Sequence, residues 1–394
     1  MKYLAAFVVL ICWLTGAGRA SRAVADDLPG DRLFSAGRFD DAAVSYRASL
    51  ASNPSDADAT RKLGLIELYR NHLDAASELL AKAQHLDAGN AAVSRALAEI
   101  ARRRAEAAKR VTVDGDQTSV PFVMTDPLPA IRVRLNGTQD ATFFIDTGAP
   151  DITVEAALAK RLGLKTTSAG MGTFAGGKHA AVEAATVQSV TLGGATAYEV
   201  AAKVLPLPQL LPNLHIDGII GTGFLERFLA TLDYPQHRLL LRKRTNDASN
   251  VFERSARDAN AAIIPCWLVG DHFVFAVARV NAAPPGLFSF DSGLAGGGLM
   301  PSQQLVEAAH IELDEKHAVT GMGGGGSVRA IPFVASLVTV GDTSQRDIRG
   351  LYSPEGSPFA MFPFTVQGAI SHEFLKHYAF TVDFDAMKLV LQAK

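Results

Sequence analysis

Two short stretches carry an aspartate into a glycine turn: Phe143-Phe144-Ile145-Asp146-Thr147-Gly148-Ala149 and Phe288-Ser289-Phe290-Asp291-Ser292-Gly293-Leu294. Each is a mostly apolar run, the pattern of a buried strand, ending in a carboxylate, a hydroxyl and a residue without a side chain. Two carboxylates held a few ångströms apart cannot both ionise readily, so such a pair shares one proton. The charged member can then take a proton from water as it attacks a carbonyl, while the protonated member donates to the carbonyl oxygen. Taken singly, Asp-Thr-Gly or Asp-Ser-Gly is an ordinary turn, because these residues gather in turns for local hydrogen-bonding reasons. Two copies at matching places in a duplicated chain read as one site.

The duplication is visible further along. Asp217 to Leu241 aligns without a gap, at an offset of 150, with Gln367 to Leu391; identical pairs include Gly218 and Gly368, Ile220 and Ile370, Phe224 and Phe374, Thr231 and Thr381, and Asp233 and Asp383. Val120-Pro121 and Ile264-Pro265 each open a strand, and Asn136 and Asn281 each stand ten residues before their Asp. From about residue 110 the chain runs in short β-branched and aromatic segments broken by Gly, Pro, Asn and Asp, which predicts all-β lobes over 112–245 and 258–394. Each lobe also has a glycine-rich stretch downstream of its Asp, around Gly170-Met171-Gly172 and Gly321-Met322-Gly323. Both suit the tip of a mobile hairpin closing over a substrate.

Other motifs carry less. Gly321 to Gly326 fits Gly-x-Gly-x-x-Gly but follows a helix-like stretch and opens no βαβ unit, so it is no dinucleotide site. His372-Glu373 lacks the second His four residues on that a zinc-peptidase helix requires, Lys376 standing there, and reads as surface of a short helix. Cys266, among Ile263, Ile264, Trp267 and Leu268, reads as a buried apolar side chain.

On Asp146-Thr147-Gly148-Ala149, the later Ile219-Ile220-Gly221 with Phe224-Leu225, and their lobe-two counterparts, the last two-thirds or so of the chain resembles the retropepsin-like aspartic peptidases. The resemblance implies a mainly β, two-lobed retropepsin or pepsin-like fold with Asp146 and Asp291 as one catalytic dyad in a shared cleft. It also implies that Thr147 and Ser292 tie the turns across the lobe interface, and that Gly148 and Gly293 let backbone N–H groups reach the carboxylates. Gly170, Met171, Gly172, Gly321, Met322 and Gly323 become flap residues. Neither metal nor cofactor is called for. Lobe two departs from the pattern at Ser371, where lobe one has Gly221, and at Ser289, which interrupts the apolar strand; both put its support of Asp291 in question.

The part of the chain before these lobes must be helical. Residues 28–108 are rich in Ala, Leu, Arg and Glu and repeat at an offset of 34, Gly37-Arg38-Phe39-Asp40 lining up with Asn71-His72-Leu73-Asp74. They resemble tetratricopeptide repeats, whose units need neighbours to bury their faces, so docking on the lobes or on a partner protein is expected. The dyad and both glycine stretches lie outside the helical segment, which suggests separable roles. Arg102-Arg103-Arg104 reads as a solvated helix face. Residues 1–25, with Lys2, an apolar run from Leu4 to Leu14 and Ala23-Val24-Ala25, have the layout of a signal peptide, giving an exported protein, periplasmic or secreted, with no membrane attachment after cleavage. A net charge of −2 offers no footprint for nucleic acid. The function these features predict is an aspartic endopeptidase acting on a peptide or protein. Its rivals are a catalytically weak peptide-binding protein of the same fold and a tetratricopeptide adaptor.

Overall fold

The computed structural model describes residues 11–12, 29–174, 178–207, 211, 214–323 and 326–393. The expected signal segment lies outside them apart from Ile11–Cys12, a two-residue strand beside Thr173 and Phe174. Among the described residues, no helix is long and apolar enough to cross a membrane.

Five helices come first: α1 (Pro29–Ser35), α2 (Phe39–Ser52), α3 (Ala57–Tyr69), α4 (Leu73–Leu86) and α5 (Ala91–Ala107). The repeat offset of 34 maps α2 onto α4 and α3 onto α5. It also maps Gly37 onto Asn71, both at positive φ (72° and 59°), where glycine and asparagine turn the chain into the next helix. Asp56 and Asn90 cap α3 and α5 by accepting the N–H groups of Ala59 and Ala92.

These helices share a core with lobe two. Phe34, Phe39, Tyr46, Ile66 and Tyr69 pack with Trp267, Phe273, Phe275, Leu287 and Phe364 in one buried cluster. The Phe39 ring meets Trp267 at 5.5 Å and Phe364 at 4.9 Å, both edge on, the geometry the aromatic quadrupole favours. Thr365 N–H donates to the Ser35 carbonyl at 2.7 Å, closing the contact at backbone level. The separation of roles suggested by the sequence therefore has no counterpart in the packing.

Helix α5 corrects a second expectation. Arg103 is buried rather than solvated; its guanidinium donates to the carbonyls of Leu268 (3.1 Å) and Gly270 (2.8 Å) in lobe two, and to that of Leu68 in α3 (3.1 Å). Glu99, one helical turn earlier, balances its charge at 2.8 Å. On lobe one, Glu106 pairs with buried Arg227 at 2.6 Å. A run of three arginines gives no sign of which one turns inward; that depends on where the neighbouring carbonyls lie.

The two lobes join through six antiparallel strands in the order Gln117–Met124, Arg238–Lys243, Phe228–Asp233, Tyr378–Asp383, Lys388–Ala393, Ala262–Val269. Thr231 pairs directly with Thr381, their hydroxyls 2.7 Å apart. These residues are 150 apart, the repeat offset itself, so the pair marks the pseudo-twofold axis that relates the lobes. Asn136 and Asn281 are likewise equivalent: both sit at φ 50° and accept a strand N–H, from Ser189 and Leu337 respectively.

Candidate active site

Each aspartate arrives on a strand buried by its own lobe. Gln139–Ile145 runs parallel to Gly218–Ile220, and Gly286–Asp291 runs parallel to Gly368–Ser371, so the chain just past each strand is forced into a turn at the lobe interface. Ser289 does not interrupt its strand: it is buried and keeps its place opposite Phe275.

The structure brings Asp146, Thr147, Gly148, Asp291, Ser292 and Gly293 together at one buried point. Thr147 N–H donates to the Ser292 hydroxyl oxygen at 3.0 Å, and Ser292 N–H donates to that of Thr147 at 2.9 Å. Each hydroxyl then donates to the opposite strand, Thr147 to the Phe290 carbonyl (3.1 Å) and Ser292 to the Ile145 carbonyl (3.2 Å). Four reciprocal bonds thus lock the two turns against each other. Gly148 and Gly293 N–H groups donate to Oδ1 of Asp146 and Asp291, each at 2.8 Å.

The second oxygens, Oδ2 of both aspartates, are buried and bonded to no protein donor. Burial pushes both groups above the usual carboxylate range. Asp146 stands well above it, the charge of Asp291 adding to the effect. The pair therefore holds one proton to higher pH than an isolated aspartate would, and titrates as a unit.

Each glycine also makes room for the other lobe. A Cβ on Gly148 would strike the Asp291 carboxyl, and one on Gly293 would strike that of Asp146. Gly293→Ala should accordingly force the carboxyls apart and lower stability by about 1–3 kcal/mol, the range for overpacking a dense core. A melting curve indistinguishable from the parent protein's would show that the turns are looser than this packing implies.

The flap residues of lobe one lie on a hairpin of Thr167–Phe174 and Lys178–Leu192, where Gly170 takes φ 91° at a bulge and Met171 is exposed. Gly321, Met322 and Gly323 form the matching strand Val319–Gly323, paired with Gly326–Val340. One small apolar pocket is lined by Thr147, Thr222, Leu225 and Phe384, and another by Leu294, Met300, Leu351 and Ser371.

Residues 131–224 match the family model of the aspartyl proteases, and residues 33–100 match a tetratricopeptide repeat model. With two lobes each supplying an aspartate to one hydrogen-bonded junction, that match decides the fold. It is the retropepsin-like aspartic protease fold, preceded by tetratricopeptide-like repeats. A solved retropepsin-like aspartic protease from Rickettsia conorii is also similar, at 23% identity over 34% of this chain and 94% of its own, with a TM-score of 0.24. No curated protein sequence matches the chain.

Several supporting groups escape sequence reading. The Thr222 hydroxyl donates to the Thr147 carbonyl at 2.8 Å and steadies the first turn from behind. In lobe two the Ser371 hydroxyl donates to the Leu294 carbonyl at 2.8 Å, so the departure from glycine adds a bond to the loop after Asp291. Gly221 is hemmed in by the carbonyls of Ala149, Pro150 and Asp151, whereas lobe two carries the longer Leu294-Ala295-Gly296-Gly297-Gly298 loop, and there Gly298 makes the close approach. The glycine has moved from one partner of the contact to the other.

His372 also departs from expectation. It is fully buried at the lobe interface, with Nε2 3.1 Å from Asp126 Oδ1, because the lobe-one loop after Met124 folds over its helix. Asp126, His372 and Glu373 are close enough to hold a cation jointly. The Lys376 ammonium already supplies positive charge there, 3.2 Å from Asp126 and 2.9 Å from Glu373. The His372 bond, then Lys376, lowers the Asp126 pKa to about 2.

Proposed function

We propose that this chain is an exported aspartic endopeptidase that hydrolyses peptide bonds with a water activated between Asp146 and Asp291. The observation that carries the reading is the paired carboxyl arrangement: each Oδ1 is held by its own glycine N–H, while each Oδ2 has no protein donor. Such a pair keeps one oxygen of each carboxyl available to water and substrate and holds a single proton between them. The ionised member removes a proton from the attacking water, and the protonated member donates to the carbonyl oxygen of the scissile bond. The newly protonated carboxyl then gives its proton to the leaving nitrogen as the C–N bond breaks, and the hydroxyl of the tetrahedral intermediate returns its proton to the other carboxylate as C=O reforms, leaving one proton on the pair.

Both aspartates are fully buried, so substrate entry requires movement, and the two glycine-rich hairpins are the elements suited to it. The tetratricopeptide-like helices support protein substrates or a protein partner, through whatever surface remains after docking on lobe two. The test is incubation of the purified mature protein with a diverse peptide mixture from pH 3 to pH 7, with products sequenced by mass spectrometry. Internal cleavage is the expected result. Trimming from chain ends alone would replace endopeptidase by exopeptidase action, and binding without cleavage would favour the peptide-binding alternative.

A further inference from the structure

The two lobes set equivalent faces beside the two carboxyls and cover them with different elements. Side chains alternate along a strand, so Leu287, Ser289 and Asp291 share one face of Gly286–Asp291, while Phe288 and Phe290 enter the lobe core. Ala369, opposite Ser289 in the neighbouring parallel strand, lies on the same face. In lobe one Phe144 precedes Asp146 by two residues and stands opposite Ile219, while Phe143 and Ile145 enter the core. A peptide bond brought to the carboxyls puts its flanking side chains against these two faces.

The covers differ in kind. Phe144, Ala149 and Ile219 cluster with Val182 of the glycine-rich hairpin, and Ala169 and Ala180 of the same hairpin pack on them. That cover is an element suited to opening. In lobe two, Leu287, Leu294 and Ala369 cluster instead with Phe34, Phe39 and Tyr69 of the helices. The turn between α1 and α2 sits directly on this face, since a Cβ on Gly37 would come within 3.1 Å of Leu287 Cβ. The Thr365 N–H bond to Ser35 and the Phe39 ring on Phe364 hold the turn there. The lobe-two hairpin contributes Ala330 to the cluster, so its opening would leave the helices in place. Residue sizes agree: Phe275 stands opposite Ser289 where lobe one has Ala130 opposite Phe144, so lobe two fills this face from the neighbouring strand and the helices.

We propose that the helical repeats close the lobe-two half of the substrate face, so that the peptidase selects its substrate through lobe one alone. A large apolar side chain, on one fixed side of the scissile bond, enters the face of Phe144, Ala149 and Ile219 when the lobe-one hairpin opens. This rests on the dyad being catalytic and adds the class of substrate. Those three side chains offer a charged group no hydrogen bond, so a charged residue at that position is rejected. On the other side of the bond the substrate side chain stays outside the cluster that holds Phe39, and its identity matters little.

Cleavage sites mapped in a diverse peptide mixture should favour large apolar residues over Gly and Ser by about tenfold or more on one side of the cut, and by less than about twofold on the other. Equal preferences on both sides, or none on either, would overturn the proposal. Ile219→Ala widens the lobe-one face and should move the preference towards Phe and Trp; an unmoved preference in a variant that melts cooperatively would also overturn it. A second arm needs no catalysis. Ile219→Cys and Ala369→Cys place thiols at equivalent points of the two faces, and buried Cys266 gives the background in the parent protein. Under native conditions a maleimide should label the lobe-one variant at least about tenfold faster, because only its cover opens. Equal rates, faster labelling in lobe two, or none in lobe one would overturn the closed face. A parent protein that cleaves no peptide would defeat the peptidase reading, while the labelling rates would still decide which face opens.

Discussion

Asp146→Asn and Asp291→Asn should each reduce peptide hydrolysis by about a thousandfold or more, and to similar residual rates, because the two groups act as one unit and their losses do not add. The bonds from Gly148 and Gly293 reach only Oδ1, so an amide in place of either carboxyl leaves the turn nearly intact and removes the shared proton. The same variants should be more stable than the parent protein at neutral pH. Both folded-state pKa values are raised, so the contribution of the pair to stability is fully present below the ordinary carboxylate pKa of about 4 and is lost as pH rises through the folded values. An asparagine escapes that loss. Thermal melts should therefore show a gain over the parent protein at pH 7 that shrinks or vanishes near pH 4. Full hydrolysis surviving in either variant would remove the dyad, and a melting temperature that falls at pH 7 would contradict the raised pKa values.

Removing residues 29–107 should abolish cooperative folding as well as activity. The cut would expose Trp267, Phe273, Phe275, Leu287 and Phe364 together, and would strip Arg103 from the carbonyls of Leu268 and Gly270. Phe39 alone, fully buried among the four aromatic rings of Phe34, Tyr69, Trp267 and Phe364, should cost about 3–5 kcal/mol as Phe39→Ala, against a total stability of about 5–15 kcal/mol for a typical fold. Circular dichroism melts and light scattering would read both variants. A truncated protein that melts cooperatively and cleaves short peptides at the parent rate would show that lobe two is complete without the helices.

Much of this site is legible along the chain because duplication prints the same local chemistry twice. Asp146 and Asp291, their hydroxyl neighbours and their glycines follow from strand pattern and turn composition, which depend on adjacent residues. The offset of 150 even names the pair Thr231 and Thr381 that meets on the axis. What escapes is what depends on distant neighbours. Ser371 looks like a lost glycine until Gly298 is seen taking over the close approach. His372 looks like surface until the loop bearing Asp126 covers it, and Arg103 looks like one of three solvated cations until two carbonyls of lobe two receive it.

By itself, the sequence determined the elements, the repeat and the groups able to share a proton, since hydrophobic period, turn chemistry and residue type are local properties. Only the tertiary structure decided which faces of the helices are buried, how the lobes brace each other's turns, and which polar side chains lose their water. Burial and hydrogen bonding are sums over everything within a few ångströms, and residues as far apart as Phe39 and Phe364 enter that sum only once the chain has folded.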